Sequence, residues 1–304
     1  MLRKLIVIAL VTIFALPVPV LAAAGPEMTV LDKTATVEKI LYGSEQTGSL
    51  VDRVGKIEKD VYGSETKDAL MGKLDRVYRY MKDNSGAPSF LIKLNGVEWS
   101  LSHAVTALPA KARIENLERV MIGSSPQGSF DERLTKLAKL SFAAGQPEVS
   151  GTTINKDTLV KIAMVSPLDT RTSRAGDVVS FQVADDVYAG GILVMAKGAA
   201  GFGKVTKVEP SKNFGRDAKL EVTYDSITAI DGSAVDMVLG EKAKEETKSM
   251  ATAAGASVAG IMLLGPIGVV GGAFVHGQDF SVPAGTQLFI QVKADTDVYG
   301  IKAR

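Results

Sequence analysis

A run of thirty residues without Asp, Glu, Lys or Arg constrains this chain more than any other feature. It covers residues 249–278 and reads SMATAAGASVAGIMLLGPIGVVGGAFVHGQ. A helix crosses a bilayer with about twenty apolar residues, so the run is long enough for a span. Glycines interrupt it, and Gly265 precedes Pro266, a pair that breaks helices in water but is tolerated where helices pack closely. We interpret the run as two apolar half-helices, residues 250–264 and 267–276, that form a hairpin.

Three environments remain open for this hairpin: the buried core of a soluble domain, a membrane or oligomer interface, and a plain single span. The run is similar to the glycine-zipper segments of envelope proteins, although its small residues recur every four or five positions and not in a strict GxxxG order. Small residues let helices approach each other. The candidate residues for membrane or self-association are therefore Gly255, Gly260, Gly265, Pro266, Gly268 and Gly272.

The first residues predict export. Arg3 and Lys4 are followed by an apolar stretch and an alanine-rich cleavage region, which is the order of a secretory signal peptide over residues 1–24. The mature chain is expected to begin between Ala23 and Gly25, and to reside in the periplasm or cell envelope. The chain has no cysteine, which excludes disulfides and a lipidated N-terminal cysteine. Any membrane attachment therefore comes from the polypeptide.

The charged residues and histidines show no pattern typical of nucleic-acid binding or of a metal site. The 35 basic and 34 acidic side chains give a formal net charge of +1, which is no electrostatic footprint for nucleic acid. With two histidines and no histidine pair at ligand spacing, we predict no metal site, no cofactor and no imidazole-based triad. The fold alone can bring two carboxylates together, so a periplasmic hydrolase remains a rival hypothesis. Its candidate carboxylates are Asp185, Asp186, Asp225 and Asp236.

The N-terminal part repeats with a period of twenty. Residues 37–57 read VEKILYGSEQTGSLVDRVGKI, residues 57–77 read IEKDVYGSETKDALMGKLDRV, and a third copy covers residues 117–137. The apolar spacing predicts a short amphipathic helix in each copy, ended by a left-handed glycine cap at Gly43, Gly63 or Gly123. One such unit cannot bury its own apolar face, so the copies must pack on one another, on residues 91–108 or on another molecule.

Aromatic residues are the candidate ligand contacts of this region. Tyr42 and Tyr62 occupy the same position in two copies, and they are either partner-binding residues, for a ligand such as glycan, or staples that pack at the helix ends. Between the second and third copies, residues 84–88 look like a linker and residues 89–105 are apolar enough for a core. Trp99 and His103 lie four residues apart there, and we interpret them as a packed core pair and not as a ligand site.

Beyond residues 146–148 the apolar period changes from helical to alternating. Six stretches rich in Val, Ile and Thr predict strands, at residues 177–183, 192–195, 203–208, 219–224, 234–238 and 287–292. Asp231-Gly232 lies between two of the apolar stretches and predicts a type I′ hairpin, which needs positive φ at both residues. The glycine-rich stretch 197–204 lacks the order of a phosphate-binding loop and opens a strand where that motif needs a helix.

The order of turns in this part resembles the C-terminal β-barrel of the TrbI family. The matching features are an AKG turn at Ala196, the Asp231-Gly232 hairpin, an apolar glycine-rich insertion, a VPAGT turn at residues 282–286, and a final strand after Asp295. TrbI proteins form the outer-membrane-proximal ring of type IV secretion systems, and their inserted helical hairpin oligomerises there. The resemblance implies that role for residues 250–277. The signal peptide and the helical repeats depart from the family pattern.

The sequence therefore predicts an α+β fold. Short helical repeats occupy residues 25–145, and an antiparallel β-barrel or sandwich with the inserted hairpin 249–278 occupies residues 146–304. The predicted function is that of a non-enzymatic structural or assembly protein of the cell envelope, associated with the outer membrane by resemblance. Its partners would be a membrane, envelope proteins and other copies of itself. The alternative is a soluble periplasmic or surface module that binds wall or glycan and buries the hairpin as core.

Overall fold

The computed structural model describes residues 28–124, 126–211, 218–253, 279 and 281–302. The predicted signal peptide, residues 1–24, lies outside the described residues, and so does most of the uncharged run. Within the described part of the chain, no helix is long and apolar enough to cross a membrane.

The predicted period of twenty is confirmed, and it extends further than the three copies visible in the sequence. Six helices of twelve or thirteen residues begin at twenty-residue intervals. Residues 84–88, interpreted as a linker, are a loop of the same kind as the others, and residues 89–105, interpreted as core, contain the fourth of these helices. The six helices are α1 (Val30–Tyr42), α2 (Leu50–Tyr62), α3 (Leu70–Lys82), α4 (Phe90–Ser102), α5 (Ala110–Met121) and α6 (Phe130–Ser141).

Local chemistry fixes the ends of these helices. The hydroxyls of Ser49 and Ser89 accept hydrogen bonds from backbone N–H groups in the first turn that follows each of them. Gly43 and Gly63 end α1 and α2 with φ of 88° and 81°, as the glycine positions predicted. Residue 103 also adopts the left-handed conformation, with φ of 50°, although it is a histidine. Each helix start and stop is therefore set by residues inside the repeat itself.

The six helices pack as two triads around one core. Helices α1, α2 and α3 contact one another, and so do α4, α5 and α6. Between the triads, α1 contacts α5, α2 contacts α6 and α3 contacts α4. The shared apolar core includes Val37, Ile57, Leu94, Ile114 and Leu137. Burial of these side chains against other copies is what stabilises helices this short, since isolated helices of this length are marginal in water.

Buried ion pairs join successive helices at the same position of the repeat. The Glu38 carboxylate accepts from Arg53 Nε at 2.8 Å, and the equivalent Glu98 accepts from Arg113 Nε at 2.9 Å, with fifteen residues between the partners in both cases. Glu38 is fully buried and also accepts from the backbone N–H of Gln46 at 3.0 Å. Each glutamate thus ties its own helix to the next loop and the next helix.

The strands after residue 148 are antiparallel. They are β1 (Val149–Ile154), β2 (Leu159–Met164), β3 (Leu168–Asp169), β4 (Val178–Val183), β5 (Val187–Ala189), β6 (Ile192–Met195), β7 (Ala200–Glu209), β8 (Lys219–Val222), β9 (Ser226–Thr228), β10 (Ala234–Val238), β11 (Ser281–Val282), β12 (Gln287–Val292) and β13 (Thr296–Lys302). A seventh helix, α7 (Glu241–Ala253), lies between β10 and β11. The predicted α+β class is confirmed.

Six of these strands close into a barrel. They are hydrogen-bonded in the order β4, β2, β12, β10, β9, β7, and the pairing of β7 with β4 closes the ring. Gly201 on β7 faces Phe181 on β4 so closely that a Cβ would lie 2.1 Å from the ring, which explains a glycine inside this strand. A second sheet, in the order β1, β13, β6, β5, completes the β-region. Of the two predicted architectures, barrel and sandwich, the strand pairing gives a barrel.

The Asp231-Gly232 hairpin joins β9 and β10 as predicted, but the predicted turn type is wrong. Only Gly232 has positive φ, at 82°, and the Ala229 N–H donates to the Ser233 carbonyl to close a three-residue loop. A three-residue hairpin loop needs only one left-handed residue, and here it is Gly232. The buried Asp231 carboxylate accepts from the N–H groups of Ser233 and Tyr299, both at 2.8 Å, and so ties the loop to the last strand, 68 residues away.

Candidate functional site

The six residues predicted for membrane or self-association, from Gly255 to Gly272, lie outside the described residues. The structure describes the residues on both sides of that segment, and these pack on the β-region. Helix α7 packs against β12 through a stripe of buried small residues, Ala243, Thr247 and Ala251. Two hydrogen bonds fix it there: Ala243 N–H donates to Gln291 Oε1 at 3.2 Å, and Phe289 N–H donates to Thr247 Oγ1 at 2.8 Å.

The returning end is fixed to the same β-region. The Asp279 carboxylate accepts from Thr170 Oγ1 at 3.1 Å and from the backbone N–H of Ser211 at 2.9 Å. These hydrogen bonds and the nearby Arg171 guanidinium outweigh partial burial and hold the pKa of Asp279 below its usual value. Strand β11 then pairs with β3. Both ends of segment 254–278 are therefore held by the structure that carries the barrel.

Tyr42 and Tyr62 pack at helix ends. The Tyr42 hydroxyl donates to the Asp60 carboxylate at 2.7 Å, and Lys56 Nζ lies 4.3 Å from the ring centroid. Burial and the bond to Asp60 raise the pKa of Tyr42 far above its usual value. The Tyr62 ring lies 5.3 Å from the Tyr80 ring, and burial raises the pKa of Tyr62 to about 12. The two tyrosines occupy equivalent repeat positions but contact different neighbours.

Tyr42, unlike Tyr62, also borders a groove of about 680 Å³. The groove lies between the C-terminal ends of α1 and α2 and the N-terminal ends of α5 and α6. Its charged lining is mixed, because Lys56 pairs with Asp60 at 2.6 Å and Lys111 pairs with Glu115 at 2.5 Å. The remaining lining residues are Lys59, Gly63, Gly128, Ser129, Phe130, Glu132 and Arg133. This groove is where the alternative hypothesis, a glycan-binding module, would place its ligand.

Helix α4 joins the helical array to the β-region. Its Phe90, Leu94 and Val97 belong to the core of the array, whereas Ile92 belongs to the core of the barrel. Side chains on its outer face hold specific partners. Trp99 Nε1 donates to Asp186 Oδ2 at 2.8 Å, and Asn95 Nδ2 donates to the Ile230 carbonyl at 2.6 Å. One helix therefore belongs to both cores.

Two turns of the β-region pack against α4 and the loop that follows it. The Leu91 side chain lies so close to Gly232 that a Cβ there would be 2.6 Å from Leu91 Cδ1. After the helix, Val105 N–H donates to the Lys197 carbonyl at 2.8 Å, and a Cβ on Gly198 would lie 2.1 Å from the Val105 carbonyl oxygen. The AKG turn and the Asp231-Gly232 hairpin, which carry the TrbI resemblance, thus both contact the helical array.

The sequence held a signal for this joint that the repeat comparison missed. Position ten of every other helix in the array is basic, and α4 alone has a different residue there, the single tryptophan of the chain. The other five residues are Lys39, Lys59, Arg79, Arg119 and Lys139. Trp99 and His103 do pack together, with ring centroids 5.6 Å apart. The prediction that both belong to the core is wrong, because His103 is the exposed C-cap of the helix. Aligning α4 with the repeat would have identified Trp99 as the docking residue.

The four carboxylates of the rival hydrolase hypothesis do not form one cluster. Asp186 binds Trp99 and the Lys197 N–H in the joint, and Asp185 pairs with Lys161 at 3.3 Å. Asp225 and Asp236 are exposed near the β9–β10 hairpin. Within the described ranges, no group of three or more His, Asp or Glu side chains is placed to hold a metal ion.

Comparison with known proteins gives weak similarity to solved structures. No model of a protein family matches the sequence. No curated protein matches it. Among solved structures, ComB10 of the Com type IV secretion system of Helicobacter pylori is similar to this chain, with 14% sequence identity and a TM-score of 0.26. The match covers 47% of this chain and 88% of ComB10.

Proposed function

We propose that this protein is an exported, non-enzymatic structural or assembly protein of the cell envelope. Segment 249–278 would be its contact with a membrane or with further copies of the chain, and the outer membrane is the location that the TrbI resemblance implies. The observation that carries the proposal is the double anchoring of this segment. Helix α7 leads into it from β12, and Asp279 and β11 receive it on the same β-region.

The physical reason is the cost of exposed apolar surface. A contiguous apolar segment of this length is unfavourable in water unless something covers it. The segment is fixed to the barrel region at both ends. Any membrane or protein that binds the segment therefore also holds the barrel. This arrangement suits attachment and assembly. It needs no catalytic group, in agreement with the structural roles of Asp185 and Asp186.

The sequence resemblance to the TrbI barrel supports the same role. Its short motifs occupy turns of the β-region in the expected order: the AKG turn precedes β7, the Asp231-Gly232 hairpin joins β9 and β10, and the VPAGT turn precedes β12. The apolar insertion follows α7 between the second and third of these turns. By this resemblance, the partners are other envelope proteins and further copies of the chain.

Cell fractionation tests the proposal. The mature protein should remain with the membranes after washes with high salt and with carbonate, and its N-terminus should be Ala23, Ala24 or Gly25 by sequencing. Release by high salt alone would support the soluble wall-binding or glycan-binding module instead. Retention of Met1 on the mature protein would contradict the export prediction.

Substitutions in the segment separate attachment from a buried core. Gly260→Leu and Gly268→Leu should weaken self-association in mild detergent and leave the barrel folded, because bulky residues keep helices apart. Gly86→Leu is the matched control, since Gly86 is exposed in the loop before α4 and nothing lies within 4 Å of a Cβ added there. A protein that is monomeric without detergent, and that only melts at lower temperature when Gly260 or Gly268 is changed, would contradict the proposal. Light scattering and thermal melting measure both effects.

A further inference from the structure

The helical array follows a contact rule that repeats along the chain. The residue at position eleven of one helix meets the residue at position two of the helix three further on. Tyr80, at position eleven of α3, donates its hydroxyl proton to the carboxylate of Asp131, at position two of α6, and the two residues are 51 apart in sequence. Asp60 of α2 and Lys111 of α5 have the same positions and the same separation, and they line one groove. The third such pair, Ile40 of α1 and Leu91 of α4, is apolar, and both of its side chains are partly buried. Inside the array, two of the three pairs are therefore polar and one is apolar.

At the two ends of the array the same positions are apolar and uncovered. Position eleven of the last two helices holds Val120 and Leu140, which are 71% and 61% exposed. Position two of the second and third helices holds Val51 and Met71, which are 60% and 48% exposed. Terminal repeats of a solenoid ordinarily present a polar outer face. Both ends of this array instead expose large apolar side chains at the positions that the contact rule pairs.

We propose that the helical arrays of two copies of this chain join head to tail. When α1 of a second copy takes the place that a seventh helix would have after α6, the contact rule continues across the junction. It then places Val120 against Val51 of the second copy, and Leu140 against Met71 of the second copy. The third pair at the junction would be Ser100 with Leu31 of the second copy, and Leu31 is 60% exposed in one copy. Burial of these apolar side chains, as Ile40 and Leu91 are partly buried inside the array, stabilises the junction.

The electrostatics of the junction permit this contact. The formal net charge of +1 leaves little long-range repulsion between copies. The buried Glu–Arg pairs do not continue, because the junction would bring Ala138 to the glutamate position and Lys33 to the arginine position. The joint between α3 and α4 already lacks this pair, with Tyr78 and Lys93 in its place, and it is held by packing. The junction between copies would resemble that internal joint.

A head-to-tail contact uses two different surfaces of each copy, so it propagates into a ring or an open chain. This inference rests on the proposed assembly role and extends it by naming a surface through which copies join. The junction uses a different surface from segment 254–278, so an experiment can support one of the two contacts and contradict the other. If no second copy covers Val120 and Leu140, the alternative is that segment 254–278 of the same chain covers them.

The absence of cysteine from the sequence allows a direct test. Purified mature protein carrying Leu140→Cys is mixed with protein carrying Met71→Cys and treated with a short bismaleimide. The mixture should give a cross-linked dimer at several times the yield of either variant alone. As a control, Leu140→Cys is mixed with Val178→Cys, which is 63% exposed on the barrel and should not cross-link. Equal yields from Leu140→Cys alone, or no product from the mixture, would overturn the head-to-tail junction.

A second measurement separates this surface from the hairpin. Val120→Glu combined with Leu140→Glu should weaken association at least about tenfold by light scattering. Helix content should not change, because both side chains are exposed. Unchanged mass with these variants, and reduced mass only with Gly260→Leu, would refute the junction and leave the hairpin contact standing. Cross-linking of Leu140→Cys to Val258→Cys within one chain would show that segment 254–278 covers the face, and would also overturn the proposal.

Discussion

At the scale of single residues, the glutamate positions of the repeat show why an ion pair is present at all. The buried Glu38 carboxylate accepts from the backbone N–H of Gln46, in the loop after its own helix, and from Arg53 in the next helix. Because it is buried, its charge needs these partners. Removing one partner of a buried pair leaves an uncompensated charge, which costs more than the pair itself contributes. Between α3 and α4, Tyr78 takes the glutamate position, and Lys93, which keeps the basic residue type of the repeat, has its Nζ 5.6 Å from the centroid of the Tyr80 ring.

We therefore expect Arg53→Ala to lower the free energy of unfolding by about 3–5 kcal/mol. The matched control is Lys39→Ala, which breaks the pair of Lys39 with Glu45 at 2.9 Å. That pair is more than half exposed on both sides. Exposed pairs contribute about 0–1 kcal/mol, so the control should change little. Urea unfolding followed by circular dichroism measures both, and equal effects would contradict the importance of burial.

Glu38 also gives the array a dependence on pH. Burial opposes ionisation of its carboxyl, but the bonds from Arg53 and from Gln46 N–H outweigh burial and hold the pKa below its usual value of 4.5. Because the folded pKa is depressed, this stabilisation is fully present above pH 4.5. It is lost as the pH falls through the folded pKa. Glu38→Gln should make the free energy of unfolding, measured by the same urea unfolding, depend less steeply on pH below 4.5.

At the scale of elements, α4 shows how one repeat is adapted to a second task. Its apolar residues lie all round the helix, as expected for a helix buried on several sides. The inner side packs like the other repeats. On the outer side, Trp99 stands where the other repeats have a basic residue. Its ring packs against the barrel core, and its Nε1 donates to Asp186.

Trp99→Lys restores the residue type of the other repeats and should detach the array from the barrel. We expect a loss of about 2 kcal/mol, since Trp99 is only partly buried. We also expect two separate thermal transitions in place of one. Trp99→Phe, which keeps an aromatic ring but loses the bond to Asp186, should have a smaller effect. Calorimetry measures the number of transitions, and a single unshifted transition in Trp99→Lys would show that Trp99 does not couple the two parts.

At the scale of the whole molecule, two hydrophobic cores lie on either side of residues 143–148. The division into a helical region, residues 25–145, and a β-domain, residues 146–304, stays a prediction. Residues 143 and 144 are exposed, and Pro147 is buried against the Gly96 turn of α4. The joint through α4 means that the two parts are in contact as well as connected by the chain.

Limited proteolysis with an unspecific protease should therefore cut first within residues 143–146 and give two stable fragments. The fragments should stay together in gel filtration, because α4 still contacts the barrel, and should separate in denaturing gels. The Trp99→Lys variant should release them under native conditions. Cleavage confined to the ends of the chain would show one cooperative core, and the two-domain prediction would then be wrong.

The sequence by itself determined the features that depend on neighbouring residues. The twenty-residue period, the glycine caps at Gly43 and Gly63 and the position of the β9–β10 hairpin follow from apolar spacing and turn residues a few positions apart. Only the tertiary structure decided the closure of the barrel by β7 and β4, the contact of Asp231 with the last strand and the partners on which α4 docks. Each of these depends on a contact between residues far apart in sequence, such as Asn95 with Ile230 or Asp231 with Tyr299. A local pattern carries no information on which distant group will be the partner.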